Sequence, residues 1–242
     1  MAYSWQERSL LLMGEEGINK LAEASVAVIG LGGVGAYAAE MLARAGVGKM
    51  LLLDSDTVSV SNKNRQLLAL DSTQGRLKTE VMQERLLDIN PHLQICLIND
   101  YLTEVNVEQQ IDPKKIDFLV DAIDTLSPKL SLIKHCVNTG IPLVSSMGSG
   151  AKYDATKVRL ADLSKSKNCP LAYIVRKKLR KMGIEKGFQV VFSEELPDKN
   201  AIIEEEQTNK KSQVGTISYL PAVFGCVCAQ AAIAHILYPQ EK

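Results

Sequence analysis

The sequence predicts an α/β protein built on an open, mostly parallel sheet with helices on its flanks. Three observations carry this. Short β-branched or apolar runs, such as residues 25–29 (SVAVI) and 117–121 (DFLVD), read as buried strands. They alternate with helix-spaced segments, the pattern of parallel strands joined by right-handed crossovers. A glycine-rich run lies directly between the first of these strands and the helix that follows it.

Residues 25–29 are the first strand. Residues 34–45 have helical spacing and high alanine content, with Gly46 and Gly48 as the stop. Residues 49–54 (KMLLLD) are the second strand. Residues 75–89 form a charged amphipathic helix closed by Asn90-Pro91. Residues 93–98 and 117–121 are the third and fourth strands. Ser127-Pro128 is a cap and first-turn signal, opening a helix to about Thr139. Residues 142–147 (PLVSSM) are the fifth strand.

The pattern weakens after Gly150. A strand is expected over 157–163, a basic helix over 171–182 (LAYIVRKKLRKM) and another strand over 188–193. Residues 194–213 are polar, with Pro197, Asn200 and three consecutive glutamates, and read as a mobile loop. Residues 214–238 are apolar enough to qualify as a membrane span. Ser218, Pro221, Gln230 and His235 interrupt them, and no positive cluster flanks their C-terminal end, so a buried core helix is the expectation.

The chain has 242 residues, 46% hydrophobic and 23% charged, which excludes disorder, collagen and coiled coil as the main architecture. Lys+Arg and Asp+Glu are both 28. A protein wrapping nucleic acid over its whole surface would be basic, so any such contact is a local patch. Five irregularly spaced cysteines argue against a disulfide framework and for a reducing, cytoplasmic setting. The N-terminus is charged and interrupted, unlike a signal peptide.

The chemistry begins at Gly30, Gly32, Gly33 and Gly35 (GLGGVG). After a strand and before a helix, such glycines let the backbone approach phosphate, and the helix N-terminus offers it unpaired N–H groups. This makes the sheet Rossmann-like. Asp54 ends the next strand, where it can accept from ribose hydroxyls. A ligand-free glycine turn is the ordinary alternative. Beyond Asp54 and Asp56 come Asn62, Arg65 and Gln66. A nicotinamide enzyme has no need of that cluster, whereas a triphosphate does, because Arg65 can fork onto phosphate oxygens and Asn62 can donate to them. Lys78 follows on the next helix. Asp121 and Asp124, at the end of the fourth strand, suit a magnesium ion bridging phosphates.

Together GLGGVG, LLLDSDTVSVSNKNRQ, the helix lysine and DAIDT resemble the ubiquitin-activating-enzyme-like superfamily of molybdopterin-synthase and thiamine-pathway adenylyltransferases. The resemblance implies adenylation of a carboxylate by ATP and magnesium. It implies a ThiF/MoeB-like core over residues 1–150, with an N-terminal helical arm, and a substrate-facing C-terminal extension over 151–242 of the same domain. It casts Asp54 as ribose ligand, Asn62, Arg65 and Lys78 as phosphate clamp, and Asp124 as the acid that positions magnesium through ATP. It also implies a homodimer in which Arg8 enters the partner's active site.

The second half is similar to the tRNA threonylcarbamoyladenosine dehydratases in DAIDTLSPK, MGSG, CPLAYIVRKKLR, FSEELP and GTISYLP. That family activates the threonyl carboxylate of a modified tRNA adenosine, and intramolecular attack by the carbamoyl group closes a ring. No protein thiol has to take the acyl group, so Cys169 is expected to be unreactive. The paired Cys-x-x-Cys motifs of a structural zinc are missing, so no zinc is expected. Arg176, Lys177, Lys178, Arg180 and Lys181, with Arg159, Lys165 and Lys167, are the candidate tRNA contacts. The resemblance leaves open a monovalent cation and a cysteine-desulfurase/sulfur-acceptor partner. A carrier-protein adenylyltransferase and a nicotinamide-binding oxidoreductase or nucleotide sensor are the competing readings.

Overall fold

Along β1 (Ser25–Ile29), Val26 and Val28 face one core while Ala27 and Ile29 face another, and all four are fully buried. A strand needs such continuous apolar sequence only when helices cover both faces of its sheet. The computed structural model describes residues 4–204 and 212–239, and it shows this arrangement.

The elements are α1 (Glu7–Glu23), β1, α2 (Gly35–Ala45), β2 (Lys49–Leu53), α3 (Lys78–Ile89), β3 (Gln94–Ile98), α4 (Val107–Gln110), β4 (Phe118–Asp121), α5 (Leu126–Thr139), β5 (Leu143–Ser146), β6 (Val158–Asp162), α6 (Pro170–Arg180), β7 (Gln189–Ser193), β8 (Ile202–Glu204), β9 (Ser212–Val214) and α7 (Tyr219–Leu237). The main sheet has seven strands in the order β3-β2-β1-β4-β5-β7-β6. Every pairing in it is parallel except β6 with β7, so the sheet ends on one antiparallel edge. The order reverses between β1 and β4. A crevice therefore opens at their carboxyl ends, the usual ligand position in such sheets.

One core holds residues of α2, α3 and α7, and the other holds residues of α5 and α6. The α7 helix is long and apolar enough to cross a membrane. Here it packs along α2 and the sheet, with Leu220, Phe224 and Cys228 fully buried, as expected of a core helix.

The structure differs from the sequence reading in three places. The α3 helix starts at Lys78 rather than 75, because Gly75 has a left-handed φ of 81° and Thr57 bridges Leu77 just before the helix. The α5 helix is entered from Thr125 rather than Ser127, with Pro128 in its first turn. The segment expected to be a mobile loop carries an antiparallel hairpin, β8 with β9, where β-branched Ile202 pairs with Val214. Residues 205–211 of that segment lie outside the described residues.

Candidate active site

Gly30 leaves β1 at a φ of 90°, and its N–H donates to Leu53 O at 2.8 Å. A Cβ on Gly35 would stand 1.8 Å from Gly30 O, and one on Gly30 would stand 2.9 Å from Ala122 O. Only glycine lets the start of α2 close this tightly over the ends of β1 and β4. No side chain caps the α2 N-terminus, so the positive end of its dipole is left open at the glycine turn.

Two cavities of about 780 Å³ each open there. They share a wall of Gly32, Arg65, Gln66, Tyr101, Asp124 and Thr125. The first is polar and takes in Gly30, Asp54, Asp56, Asn62 and Lys78. The second runs on to residues 147–152, Cys169, Pro170, Pro197 and Thr216, and is capped by Gly33 and Pro221.

In the first cavity, Asp54 accepts from Leu31 N at 2.6 Å and Asp56 N at 2.8 Å. Burial pushes its carboxyl above the ordinary aspartate range, against the pull of Lys78 and of those two N–H groups. Lys78 is 4% exposed and donates to Asp56 Oδ2 at 2.7 Å. The adjoining loop is held by its own polar groups. Asn62 Oδ1 accepts from Ser59 N at 3.1 Å, and Arg65 Nη1 donates to Ser61 O at 3.0 Å and Asn64 Oδ1 at 2.8 Å. That leaves most of the guanidinium donors of Arg65 to face the wall between the cavities.

The structure thus brings together Gly30, Gly32, Gly33, Asp54, Asp56, Asn62, Arg65, Gln66, Lys78 and Asp124. Gly35 lines neither cavity and serves the close packing just described. Asp121 is a correction. Its side chain is fully buried, with Lys129 Nζ at 2.7 Å and Ser145 Oγ at 2.5 Å. It lines neither cavity, because those two partners hold it below the surface at the end of β4, while Asp124 lies beyond the strand end. Arg8 stands exposed on the first turn of α1, away from both cavities. Gln6 beside it donates to Ala45 O at 3.5 Å, which places the arm at the C-terminal end of α2. At 1.5 Å per residue the crevice is then about 15 Å away.

The basic residues of α6 also divide. Arg176 is half-buried and donates to Ser166 O and, at 2.6 Å, to Ser166 Oγ, tying α6 to the preceding loop. Lys177, Lys178, Arg180 and Lys181 are exposed. Arg180 pairs with Glu185 at 3.3 Å, while Arg159 and Lys167 pair with Glu194 at 3.0 Å and 2.8 Å. Cys169 is 5% exposed in the second cavity.

Sequence reasoning missed Lys129, Tyr101 and Lys152. A signal existed for Lys129, since it shares a helix face with apolar Ile133 and Cys136, which marks a buried lysine. Tyr101 and Lys152 carried none.

Comparison with known proteins places this site in context. The model of the ThiF family matches residues 3–242. The chain is 48% identical to the tRNA threonylcarbamoyladenosine dehydratase of Bacillus subtilis (strain 168) over 190 residues, 78% of this chain and 74% of that protein. It superposes with a TM-score of 0.89 on the crystal structure of Escherichia coli tRNA N6-threonylcarbamoyladenosine dehydratase in complex with ATP, at 34% identity over 97% of this chain and 94% of that one. To the molybdopterin-synthase adenylyltransferase of Salmonella typhimurium (strain LT2) it is 40% identical over 140 residues, 57% of this chain and 55% of that protein.

Proposed function

The chain belongs to the ThiF family, among its tRNA threonylcarbamoyladenosine dehydratases, and from that premise we propose that it uses ATP to cyclise threonylcarbamoyladenosine in tRNA. The observation that carries this is the pair of cavities meeting at Arg65 and Asp124. One is built for a nucleotide and the other is roomy enough for a modified nucleoside.

The chemistry follows from that arrangement. ATP lies in the first cavity, its ribose hydroxyls on Asp54 and its phosphates against the α2 N-terminus, Asn62, Arg65 and Lys78. The threonyl carboxylate enters from the second cavity. A carboxylate oxygen bonds to the α-phosphorus, the α–β bridging P–O bond breaks, and pyrophosphate leaves. Negative charge moves outward along the phosphates as this happens, so cationic groups fixed there favour the transition state. The carbamoyl group then attacks the activated carbonyl and loses its proton. AMP departs with the carboxylate oxygen, and the nucleoside has lost one water overall. Ring closure is intramolecular, so no protein thiol has to take the acyl group.

Magnesium fits the site only through ATP. Among the described residues no three His, Cys, Asp or Glu side chains converge as a metal cage, so magnesium would be held through bound ATP, with Asp124 the protein residue placed to hold it. It would supply neutralisation of phosphate charge there.

Residues 1–150 act as the nucleotide-binding half and 151–242 as the substrate-facing half of one domain. Supporting this division, every residue lining the first cavity lies within 1–150, whereas the second also takes in Lys152, Cys169, Pro197 and Thr216. The α6 helix links that cavity to the basic surface: Pro170, Leu171 and Ile174 line it, and the exposed Lys177, Lys178, Arg180 and Lys181 follow. These cations take tRNA phosphates.

The working form is a homodimer in the cytoplasm, with Arg8 completing the partner's site. In support, Arg8 cannot reach its own crevice, and Leu11 and Leu12 on the same arm are 88% and 85% exposed. Gly14, at a φ of 70° and ψ of 176°, kinks α1 and sets the arm off from the body.

The test is ATP–pyrophosphate exchange. Exchange should require tRNA carrying threonylcarbamoyladenosine and weaken with salt. Exchange supported by a ubiquitin-like carrier protein instead would contradict the reading.

A further inference from the structure

Lys78, Lys129 and Lys152 are 4%, 0% and 3% exposed. The first two meet a carboxylate at 2.7 Å, Asp56 and Asp121 respectively. Lys152 has no such partner among the described residues. Its Nζ donates to Gly148 O at 3.4 Å and Ser193 O at 3.5 Å, both long for a hydrogen bond. The neighbouring Glu195 carboxylate is spent on backbone, accepting from Tyr153 N at 3.0 Å and Asp154 N at 2.7 Å. Burial pushes the Lys152 ammonium below the ordinary lysine range, partly offset by Cys169 and Glu195.

A buried ammonium without a counter-charge destabilises a fold. Its position says what it is for. Lys152 follows β5 and sits over the carboxyl ends of β5 and β7, on the lining of the second cavity. The residue before it, Ala151, is held at a φ of 58°, sparsely populated for a residue with a Cβ. Its N–H donates to Gly215 O at 2.8 Å, and its carbonyl accepts from Asp198 N at 2.8 Å. Strain pinned from two sides beside an uncompensated charge is the pattern of a prepared binding group.

We propose that Lys152 is a substrate-contacting residue whose ammonium receives the threonyl carboxylate and holds it in the second cavity for attack on the α-phosphorus. This rests on the function proposed above. The carboxylate supplies the missing counter-charge and an acceptor for the poorly used donors. When the acyl–phosphate bond forms, that negative charge leaves the carboxyl group. The ion pair then dissolves and the carbonyl is free to meet the carbamoyl group.

The test is Lys152→Met, which keeps length and removes charge. We expect kcat/KM for the modified tRNA to fall about 100-fold, the loss of a hydrogen-bonded ionic contact. KM for ATP and the thermal stabilisation by ATP with magnesium should be unchanged, because Lys152 lies outside the nucleotide cavity. Tm without ligand should stay level or rise, because an unpaired buried charge has gone. A variant with kcat/KM within about twofold of wild type would overturn the proposal. So would lost activity accompanied by a lower Tm, which marks a structural lysine. If the wild-type protein itself left the nucleoside unchanged, the functional reading would fail first and the proposal with it, an outcome told apart by using no variant.

Discussion

The carboxylate of Asp121 and the ammonium of Lys129 meet at 2.7 Å with neither side chain exposed to solvent. Lys129 also donates to Ser145 Oγ at 3.1 Å and Ser146 O at 3.0 Å, and Asp121 Oδ1 accepts from Ile123 N at 3.1 Å. The pair therefore ties α5, β4 and β5 together beneath the turn that carries Asp124. Removing one partner leaves the other as an uncompensated buried charge. Lys129→Met should lower the unfolding free energy by about 3–5 kcal/mol, measured by urea denaturation. Adding Asp121→Asn should recover part of that loss, because the remaining charge is gone. An additive double variant would mean that the two groups do not act as a pair.

The wall between the cavities yields a second expectation. Arg65→Ala and Lys78→Ala should each reduce pyrophosphate release by about 100- to 1000-fold, the usual loss for one transition-state donor. The Arg65 variant should unfold at nearly the wild-type urea concentration, since that side chain bonds only within its own loop. Pyrophosphate release at the wild-type rate would remove these residues from the clamp.

The proposed homodimer has Arg8 act on the other copy. On that proposal Arg8→Ala should inactivate the enzyme, and mixing it with Lys78→Ala should restore about a quarter of wild-type activity at random assortment. In a mixed dimer one site regains both groups and the other lacks both. Mixed subunits that exchange yet stay inactive would contradict an arginine supplied in trans.

A pH effect follows from Glu40 on α2, which is 6% exposed. Burial is the largest single influence and would raise its carboxyl. Hydrogen bonds and charge from Arg85 and Arg44 outweigh that and hold it below the ordinary value of 4.5. A depressed folded value stabilises the fold above the unfolded value, and that contribution is lost as pH falls from 4.5 through the folded value. Glu40→Gln should therefore flatten the loss of stability below that pH, measured by denaturation across an acid series. An unchanged acid profile would assign the loss to other groups.

Most of the fold was legible because strands buried on both faces announce themselves. Residues 25–29, 49–54 and 117–121 could hardly read otherwise, and the glycine run placed the crevice. The two strands of the antiparallel edge were legible over 157–163 and 188–193, but their relative direction was not, because it depends on tertiary pairing rather than on either strand's own pattern. The β8–β9 hairpin was hidden by flanking polar residues. In the site, Asp54, Arg65, Lys78 and Asp124 were readable because short motifs fix them to strand and helix ends. Asp121 misled because DAID shows two acids, and only the tertiary partners Lys129 and Ser145 mark the first of them as buried. Lys152 was invisible in sequence, because its burial depends on Ser193 and Gly148 approaching from separate strand ends.

The central claim is that this chain activates the threonyl carboxylate of a tRNA nucleoside and closes a ring. Nucleoside mass spectrometry tests it most directly. The purified protein would be incubated with ATP, magnesium and tRNA carrying threonylcarbamoyladenosine, and the tRNA then digested under mild conditions. The account predicts an ATP-dependent loss of one water from that nucleoside, abolished by Arg65→Ala. An unchanged nucleoside, from protein that ATP still stabilises against heat, would contradict it.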